Sequence, residues 1–283
     1  MRVLITGAGG MLGHDVRAAA QAAGHETVIV PRADLDITEP AAVGPFVADA
    51  APDIVVNCAA WTDVDGAEGD YQRALAVNGP AAGYLARAAA AAGAWTLHVS
   101  SDYVFSGAKR KPYLESDPVG PVSAYGHSKL AGERAVAEGA PRAHTIVRSS
   151  WLFGASGHCF PSTILKLAGE RDQLSVVADQ IGCPTFTGHL AEALVALAAS
   201  KPLGVLHVAG AGECSWFDFA TEVVGARDLD CRVLPCTTDE FPRPARRPAY
   251  SVLRSERGAL APELPHWRDG LSAYLAAARE AVA

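Results

Sequence analysis

Three observations predict an α/β fold, with a doubly wound parallel sheet and a smaller C-terminal lobe. A short apolar run, Arg2 to Thr6, is followed at once by a glycine-rich turn and a segment with helical periodicity. Apolar strands and helical segments then alternate to about residue 155, and this βαβ pattern is typical of parallel sheets with right-handed crossovers. From Ser156 onward, proline-rich segments and shorter elements replace the alternation. We therefore expect one domain at residues 1–155 and a lobe mainly from residues 156–283, with some of its chain returning to the sheet.

Composition restricts the class of protein before any motif is considered. The chain has 283 residues, 49% of them hydrophobic, which is enough for a sizeable core. Its net charge of -7 argues against nucleic-acid and membrane-surface partners, because both favour a basic face. The first residues lack the basic and long apolar segments of a secretion signal. The six cysteines are scattered, without a close Cys/His ligand set. We expect a cytoplasmic protein with reduced cysteines and no metal site.

The glycine-rich turn after the first strand predicts a dinucleotide site of the Rossmann type. Gly7 permits the tight turn, Gly10 lets the main chain approach a pyrophosphate, and Gly13 allows close packing of the helix. Met11 and Leu12 open that helix, whose N-terminal N–H groups suit an anion. The spacing is G-x-x-G-x-x-G, so a glycine-rich turn without a ligand is the alternative.

The end of the second strand bears on the choice of cofactor. Glu26 to Val30 forms this strand, and Arg32 follows it. An acidic side chain at this place binds a ribose 2′-hydroxyl, whereas an arginine accommodates a 2′-phosphate. Arg32 therefore favours NADPH, with NADH possible, unless it is simply a solvated loop residue. Asp36 and Ile37, a little further on, are expected against the adenine.

The next elements continue the alternation. We predict a helix from about Pro40, a proline that suits the first helical turn, and a strand from Asp53 to Asn57. The small side chains of Ala59 and Ala60 leave room for a cofactor. Further expected elements are a polar loop over residues 61–68, one long helix over residues 70–92 and a strand over residues 96–99.

A serine, a tyrosine and a lysine suit carbonyl reduction. Ser101 follows the strand at 96–99, and the carboxyl ends of parallel strands are where open α/β sheets place ligands. If the segment Y-G-H-S-K is helical, Tyr125 and Lys129 lie on one face, and the ammonium can lower the pKa of the phenol. Tyr125 then becomes a general acid, and Ser101 can hydrogen-bond the same substrate oxygen. The alternative is a chance Tyr-x-x-x-Lys pair with a solvated lysine.

Two segments of the second part contain candidate substrate contacts. D-Q-I-G-C-P-T, which contains Gln180, reads as a turn before a helix. R-P-A-R-R-P, which contains Arg247, concentrates positive charge in an acidic protein, and arginine binds diphosphates in a bidentate manner. A solvated basic loop is the alternative for this second segment.

A set of motifs spans nearly the whole chain. They are G-A-G-G-M-L-G, D-I-T, N-C-A-A-W-T-D-V-D-x-A-E, A-V-N, S-S-D-Y-V-F-S-G, Y-G-x-S-K-L-x-G-E, R-S-S-W-L-F-G, D-Q-I-G-C-P-T and R-P-A-Y-S-V-L. On these motifs the chain resembles the extended short-chain dehydrogenase/reductases, and specifically the dTDP-4-dehydrorhamnose reductases. The glycine triplet and Tyr-x-x-x-Lys point only to the superfamily, whereas the D-Y-V-F, D-Q-x-G-x-P-T and R-P-x-x-S-x-L combination is far more specific.

The resemblance implies NAD(P)H-dependent reduction of the C4 ketone of a dTDP-4-keto-6-deoxyhexose, giving dTDP-L-rhamnose in the archetypal case. It implies that Tyr125 donates the proton, Ser101 assists, and Lys129 binds the nicotinamide ribose and lowers the tyrosine pKa. It also implies a homodimer. The implied cofactor contacts include Asp36, Ile37, Ala59, Ala60 and Asn78, and the expected substrate contacts are Thr62, Val64, Asp102, Trp151, Gln180 and Arg247.

Other functions stay open on the sequence alone. Tyr250 stands where the family more often has an amide or an acid, which leaves room for another 4-keto-6-deoxy sugar from secondary metabolism. An epimerase or dehydratase of the superfamily is a second alternative, but the acidic pair of dehydratases is absent because Tyr103 follows Asp102. A third is a non-catalytic subunit, since the regulatory subunit of methionine adenosyltransferase resembles the same family. The intact Ser101, Tyr125 and Lys129 argue against it.

Overall fold

The strands of the protein were assigned in a computed structural model that describes residues 1–227 and 229–280. The expected lobe ends at residue 283, so its last three residues lie outside the described residues. The strands are β1 (Arg2–Thr6), β2 (Glu26–Val30), β3 (Ile54–Asn57), β4 (Trp95–Ser101), β5 (His144–Ser149), β6 (Leu152–Phe153), β7 (Gln173–Val177), β8 (Ile181–Gly182), β9 (Thr185–Phe186), β10 (Gly204–His207), β11 (Cys214–Ser215) and β12 (Arg232–Cys236).

Helices lie on both faces of the large sheet and in the C-terminal lobe. They are α1 (Met11–Ala22), α2 (Pro40–Ala50), α3 (Gly66–Gly69), α4 (Tyr71–Asn78), α5 (Pro80–Ala91), α6 (Ala124–Gly139), α7 (Phe160–Ala168), α8 (Thr187–Ser200), α9 (Trp216–Gly225) and α10 (Trp267–Glu280), with short 3₁₀ turns at Asp102–Val104 and Gly258–Leu260. Among the described residues, no helix is both long enough and apolar enough to cross a lipid bilayer.

The central sheet has six parallel strands in the order β10-β5-β4-β3-β1-β2, which confirms the predicted fold class. Strand β1 pairs with β2 on one side and with β3 on the other, so the chain reverses its direction across the sheet at β1 and β3. A crevice opens beyond the carboxyl ends of two such strands, and this crevice is where doubly wound sheets bind ligands.

Alternate residues of β1 face opposite layers of the core. Val3 and Ile5 pack with α1 and α8, whereas Leu4 packs with α2 and α5. Strands buried on both faces are typical of parallel sheets covered by helices. The two layers therefore fix the sheet, and with it the positions of the loops at its carboxyl edge.

The predicted single helix over residues 70–92 is wrong. The chain forms α4 and α5 with a break at Gly79, whose φ is -95° and ψ is -96°. Pro80 has no N–H group and clashes with a helical preceding residue, so it begins a helix more easily than it continues one. The side chain of Asp70 caps α4 by accepting a hydrogen bond from the Arg73 N–H at 3.2 Å.

The C-terminal lobe has its own apolar cluster between the β7–β12 pair and helices α7, α9 and α10. Phe153, Phe219 and Trp267 are the large side chains buried in it. Residues of α8 and β10 pack instead with α1 and the central sheet. The segment from 187 to 207 thus returns from the lobe side to the sheet.

Candidate active site

A cavity of about 870 Å³ extends from the glycine-rich turn to the carboxyl end of β4 and the first turns of α6. Most of the predicted site residues contribute to its wall. They are Gly7, Gly10, Met11, Leu12, Gly13, Arg32, Asp36, Ile37, Ala59, Ala60, Thr62, Val64, Ser101, Asp102, Tyr125, Lys129 and Trp151. Asn78, Gln180 and Arg247 are not part of the wall.

Two glycines of the glycine-rich turn have no space for a side chain. Gly7 has a φ of +69°, and a Cβ atom there would overlap the main chain of Ala59. A Cβ atom on Gly13 would overlap Gly7. Gly10 donates from its N–H to the Gly7 carbonyl at 2.9 Å and immediately precedes α1. The bare main chain and the helix N-terminus fit the pyrophosphate of a dinucleotide.

At the rim near β2, an arginine and an aspartate lie side by side. Nη2 of Arg32 is 3.4 Å from Oδ2 of Asp36, and the arginine side chain is exposed. The Oδ1 atom of Asp36 accepts hydrogen bonds from the Thr38 hydroxyl at 2.7 Å and the Thr38 N–H at 3.0 Å. These bonds, followed by the charge of Arg32, lower the pKa of Asp36. The rim thus offers a carboxylate for ribose hydroxyls and a mobile cation for a phosphate.

Asn78 supports the cavity from behind. It is buried, and its Oδ1 accepts from the Trp61 N–H at 2.8 Å. Its Nδ2 donates to the Trp61 carbonyl at 3.0 Å and to the Ser128 hydroxyl at 2.9 Å. The amide of Asn78 thus holds the loop after β3 against α6, and its contact with the cofactor stays a prediction.

Helix α6 brings the tyrosine and the lysine to the end of β4. Ser123 caps the helix by accepting from the Gly126 N–H at 3.2 Å. A Cβ atom on Gly126 would overlap the Tyr103 carbonyl, so glycine allows the first turn to approach the residues after β4. Lys129 is buried, and its Nζ donates to the Val99 carbonyl at 2.7 Å.

The electrostatics of the site differ from the expectation that Lys129 lowers the tyrosine pKa. Burial raises the pKa of Tyr125 to about 12, the neighbouring Ser101 hydroxyl opposes the rise, and the charge of Asp102 adds to it. Burial lowers the pKa of Lys129 to about 8, against the charge of Glu133. Burial is the largest effect on the phenol, and Lys129 is not among the described groups that shift its pKa, so Tyr125 is held in its protonated form.

The cavity wall contains a stacked pair of tryptophans. The rings of Trp151 and Trp216 are parallel within 4°, with centroids 3.5 Å apart. Trp151 adopts a φ of +47°, a left-handed conformation that costs energy for a residue other than glycine. A Cβ atom on Gly182 would overlap the Trp151 indole. Trp216 is the first residue of α9, in the C-terminal lobe. The Phe160 ring packs against the Trp216 indole, with ring centroids 4.5 Å apart.

Gln180 and Arg247 act in the loops beside the cavity. Nε2 of Gln180 donates to the Thr238 hydroxyl at 3.0 Å. Both terminal nitrogens of Arg247 bond to the Asp65 carboxylate, one of them at 2.9 Å. The Arg247 guanidinium is thus paired with Asp65, and its contact with the substrate diphosphate stays a prediction.

Sequence reasoning missed several wall residues. Trp216, Phe160 and His158 come from the lobe, and nothing in their local sequence indicates that they face the glycine-rich turn. Tyr103 lies in the quoted motif S-S-D-Y-V-F-S-G, so its position two residues after Ser101 was the available signal. Its ring meets that of Tyr125 edge to face, with centroids 5.4 Å apart.

A Rossmann-type sheet, a glycine-rich turn and a Ser-Tyr-Lys set around one cavity define the class of short-chain dehydrogenase/reductases. The family model described as the RmlD substrate binding domain matches residues 1–280. The chain belongs to this family, the dTDP-4-dehydrorhamnose reductases, and the resemblance seen in the motifs is confirmed.

Individual relatives agree with this assignment. The chain is 45% identical to a dTDP-4-dehydrorhamnose reductase of Mycolicibacterium smegmatis, over 98% of this chain and 85% of the relative. It is 43% identical to a probable dTDP-4,6-dihydroxy-2-methyloxan-3-one 4-ketoreductase of Streptomyces antibioticus, over 96% and 93%. The crystal structure of a dTDP-4-dehydrorhamnose reductase of Bacillus anthracis in complex with NADP is similar, with a TM-score of 0.94, 36% identity and coverage of 97% and 98%.

Proposed function

We propose that the protein reduces the C4 ketone of a dTDP-4-keto-6-deoxyhexose with NADPH, NADH being a possible substitute. The favoured reaction converts dTDP-4-dehydro-L-rhamnose to dTDP-L-rhamnose. The observation that carries the proposal is the common cavity, whose wall contains the glycine-rich turn as well as Ser101, Tyr125 and Lys129. The shared family and the NADP-bound relative support the same reaction.

Each of the three side chains has a distinct role in this proposal. A reduced nicotinamide, when bound, supplies the hydride that reaches C4 of the sugar. Tyr125 donates its phenolic proton to the oxygen that develops negative charge, and Ser101 donates a hydrogen bond to the same oxygen. Lys129, anchored on the Val99 carbonyl, binds the ribose and provides positive charge next to the reacting groups.

The cavity wall divides between cofactor and substrate. The turn at Gly7 to Gly13 would hold the pyrophosphate, and the exposed Arg32 would bind a 2′-phosphate. Thr62, Val64 and the tryptophan pair border the sugar nucleotide, and its binding energy positions the ketone for reaction. We also propose that residues 1–155 form the cofactor domain, that the rest forms mainly the substrate lobe, and that the protein acts as a cytoplasmic homodimer.

The direct test is the loss of absorbance at 340 nm when the protein, NADPH and enzymatically prepared dTDP-4-dehydro-L-rhamnose are mixed. We expect rapid oxidation of NADPH and formation of dTDP-L-rhamnose, with slower oxidation of NADH. Tight binding of NADPH without its oxidation, for this sugar and its C5 epimer, would refute the proposed reaction.

A second candidate is the reduction of a different 4-keto-6-deoxy sugar from secondary metabolism. It is favoured by the Streptomyces antibioticus relative and by Tyr250, whose hydroxyl donates to Oε2 of Glu213 at 2.7 Å. Comparison of kcat/KM for dTDP-4-dehydro-L-rhamnose and for the other 4-keto-6-deoxy sugar separates the candidates. Each candidate predicts the higher kcat/KM for its own sugar.

A further inference from the structure

Asp102 is a buried carboxylic acid on the wall of the active-site cavity. It follows β4 directly and is 1% exposed. Its Oδ1 accepts a hydrogen bond from the Ser101 hydroxyl at 3.0 Å. Its Oδ2 has no hydrogen-bond partner among the described residues. A buried carboxylate with one unsatisfied oxygen is costly, and a proton reduces that cost.

The hydrogen bonds of Ser101 leave its hydroxyl pointing away from a substrate. A serine hydroxyl has one hydrogen and two acceptor positions. In the structure that hydrogen goes to Asp102, and the oxygen accepts from the Tyr103 N–H at 3.2 Å. The Ser101 oxygen then has one acceptor position left on the side of Tyr125, and no hydrogen to donate there. The proposed reaction requires the opposite polarity, with the Ser101 hydrogen on the carbonyl oxygen.

We infer that Asp102 is a positioning residue that sets the direction of the Ser101 hydroxyl, and that its neutral form is the one competent for carbonyl reduction. The inference rests on the proposed function. With a proton on Oδ1, Asp102 donates to the Ser101 oxygen. Ser101 then accepts from Asp102 and from the Tyr103 N–H, and its own hydrogen is free for the substrate oxygen. Tyr125 donates to the same oxygen from the other side.

The charge of Asp102 also acts on the proton donor. An ionised Asp102 raises the pKa of Tyr125 and of Tyr103, so it opposes formation of the phenolate that proton donation leaves behind. A neutral Asp102 removes this opposition. It also removes a negative charge from the neighbourhood of the oxygen that becomes an alkoxide, where attraction and repulsion are strong because water is excluded.

The surroundings place the titration of Asp102 in an accessible range. Burial raises the pKa of Asp102 to about 6, while the nearby hydroxyl groups of Ser251 and Ser101 lower it. Of the other titratable groups, Tyr125 faces it from α6 and Cys183 from the segment between β8 and β9, and both have their pKa raised by its charge. The nearby cations affect the pKa of other groups. Lys129 lowers the pKa of Cys58 and of His98, and Arg247 lowers that of Tyr103.

The pH dependence of kcat tests the inference. The neutral form of Asp102 prevails below its pKa, so kcat of the wild-type protein should fall by about tenfold per pH unit above that titration. Asp102→Asn cannot ionise, and its amide can donate to Ser101, so its kcat should be nearly flat from pH 6 to pH 8. A variant that keeps the wild-type decline would overturn the inference, as would one that is inactive at every pH while still folded and binding NADPH.

Ser251→Ala provides the matched control outside the reacting groups. The Ser251 hydroxyl lowers the pKa of Asp102, so its loss should raise that pKa and move the decline in kcat to higher pH, with the maximum rate kept. An unchanged decline would contradict the assignment to Asp102. In a Ser101→Ala background, Asp102→Asn should alter the pH profile less than it does in the wild-type protein, because only the direct effect of the Asp102 charge on Tyr125 remains.

A spectroscopic measurement separates this inference from the proposed function. The carboxyl carbon of Asp102 can be followed by ¹³C NMR in the NADPH-bound protein, with Asp102→Asn identifying the signal. We expect titration near pH 6. A carboxyl group that stays ionised to pH 5 would refute the inference whatever the substrate is, whereas a wild-type protein that reduces no keto sugar would refute only the proposed function.

Discussion

At the scale of single residues, burial decides how the catalytic groups behave. Tyr125 is dehydrated, and burial raises its pKa to about 12, so it carries a proton at any physiological pH. A high pKa makes a phenol a weak acid in general, but a group that is always protonated is always ready to donate. In the proposed reaction, the proton of Tyr125 would leave only once the substrate oxygen is more basic than the phenolate.

Tyr125→Phe should therefore lower kcat on the order of 10²-fold to 10⁴-fold, the usual contribution of a general acid. NADPH affinity, measured by fluorescence titration, should change little because the ring remains. Tyr84→Phe is the control, since Tyr84 lies on α5 beside Arg87 and outside the cavity wall. Equal rates in the two variants would remove Tyr125 from the mechanism.

Lys129 should reduce the stability of the protein in a pH-dependent manner. Burial lowers its pKa from 10.5 to about 8, so the folded state holds its proton less firmly than the unfolded state. The cost of the buried charge is present in full below pH 8 and disappears as the pH rises to 10.5. Lys129→Met should thus raise the free energy of unfolding by a few kcal/mol at pH 7, and by progressively less above pH 8. Urea denaturation at several pH values measures this difference, and a difference independent of pH would refute the explanation.

At the scale of elements, α6 links the catalytic residues to the core. Its glycines let it approach two other segments: a Cβ atom on Gly126 would overlap the Tyr103 carbonyl, and one on Gly132 the Asn78 carbonyl. The next residue of α6, Glu133, accepts two hydrogen bonds from the Arg148 guanidinium, at 2.7 and 2.8 Å. The position of Lys129 between Gly126 and Gly132 is therefore fixed by close main-chain contacts on both sides.

Gly132→Ala should destabilise the protein by about 1–3 kcal/mol, the usual cost of overpacking, and lower kcat because α6 must move. Gly225→Ala is the matched control. Gly225 is also helical and exposed, with no atom near the position of a Cβ, so alanine there should be neutral or stabilising by about 0.5–1 kcal/mol. Thermal denaturation distinguishes the two, and equal melting temperatures would contradict the packing argument.

The same scale shows what the sequence could predict. Strand β1, the glycine-rich turn and α1 follow from local pattern, as do Tyr125 and Lys129 on one helix. The break at Gly79 also had a local signal, which is Pro80. The apolar periodicity of residues 70–92 nevertheless favoured a single helix. The Trp151–Trp216 stack was beyond prediction, because it depends on how the lobe packs on the sheet, and no local pattern records that contact.

At the scale of the whole molecule, one ionic cluster joins the segment after β12 to the loop after β3. Residues 237–250, here called the strap, follow β12 and contact the loop after β3. The Asp65 carboxylate binds Arg247, and it also accepts from Arg243 Nε at 2.9 Å and from the Ala245 N–H at 3.1 Å. Hydrogen bonding to Arg247 is the largest of the effects that hold the pKa of Asp65 well below its usual range. The strap is thereby fixed next to Thr62 and Val64 on the substrate side of the cavity.

Asp65→Asn should loosen the strap and raise KM for the sugar nucleotide. Loss of one charge-assisted pair costs on the order of 1–2 kcal/mol, which corresponds to about a tenfold change. Since a depressed carboxyl pKa stabilises the fold above the unfolded value near 4 and loses that effect only at lower pH, the wild-type KM should be flat between pH 5 and pH 8. Asp239→Asn, an exposed carboxylate in the same strap, is the control and should leave KM unchanged. Steady-state kinetics measure the change in KM, and limited proteolysis measures the loosening of the strap. An Asp65→Asn variant with a wild-type KM and unchanged cleavage would contradict the prediction. It would show that other contacts hold the strap, such as those of Thr238 with Asp179.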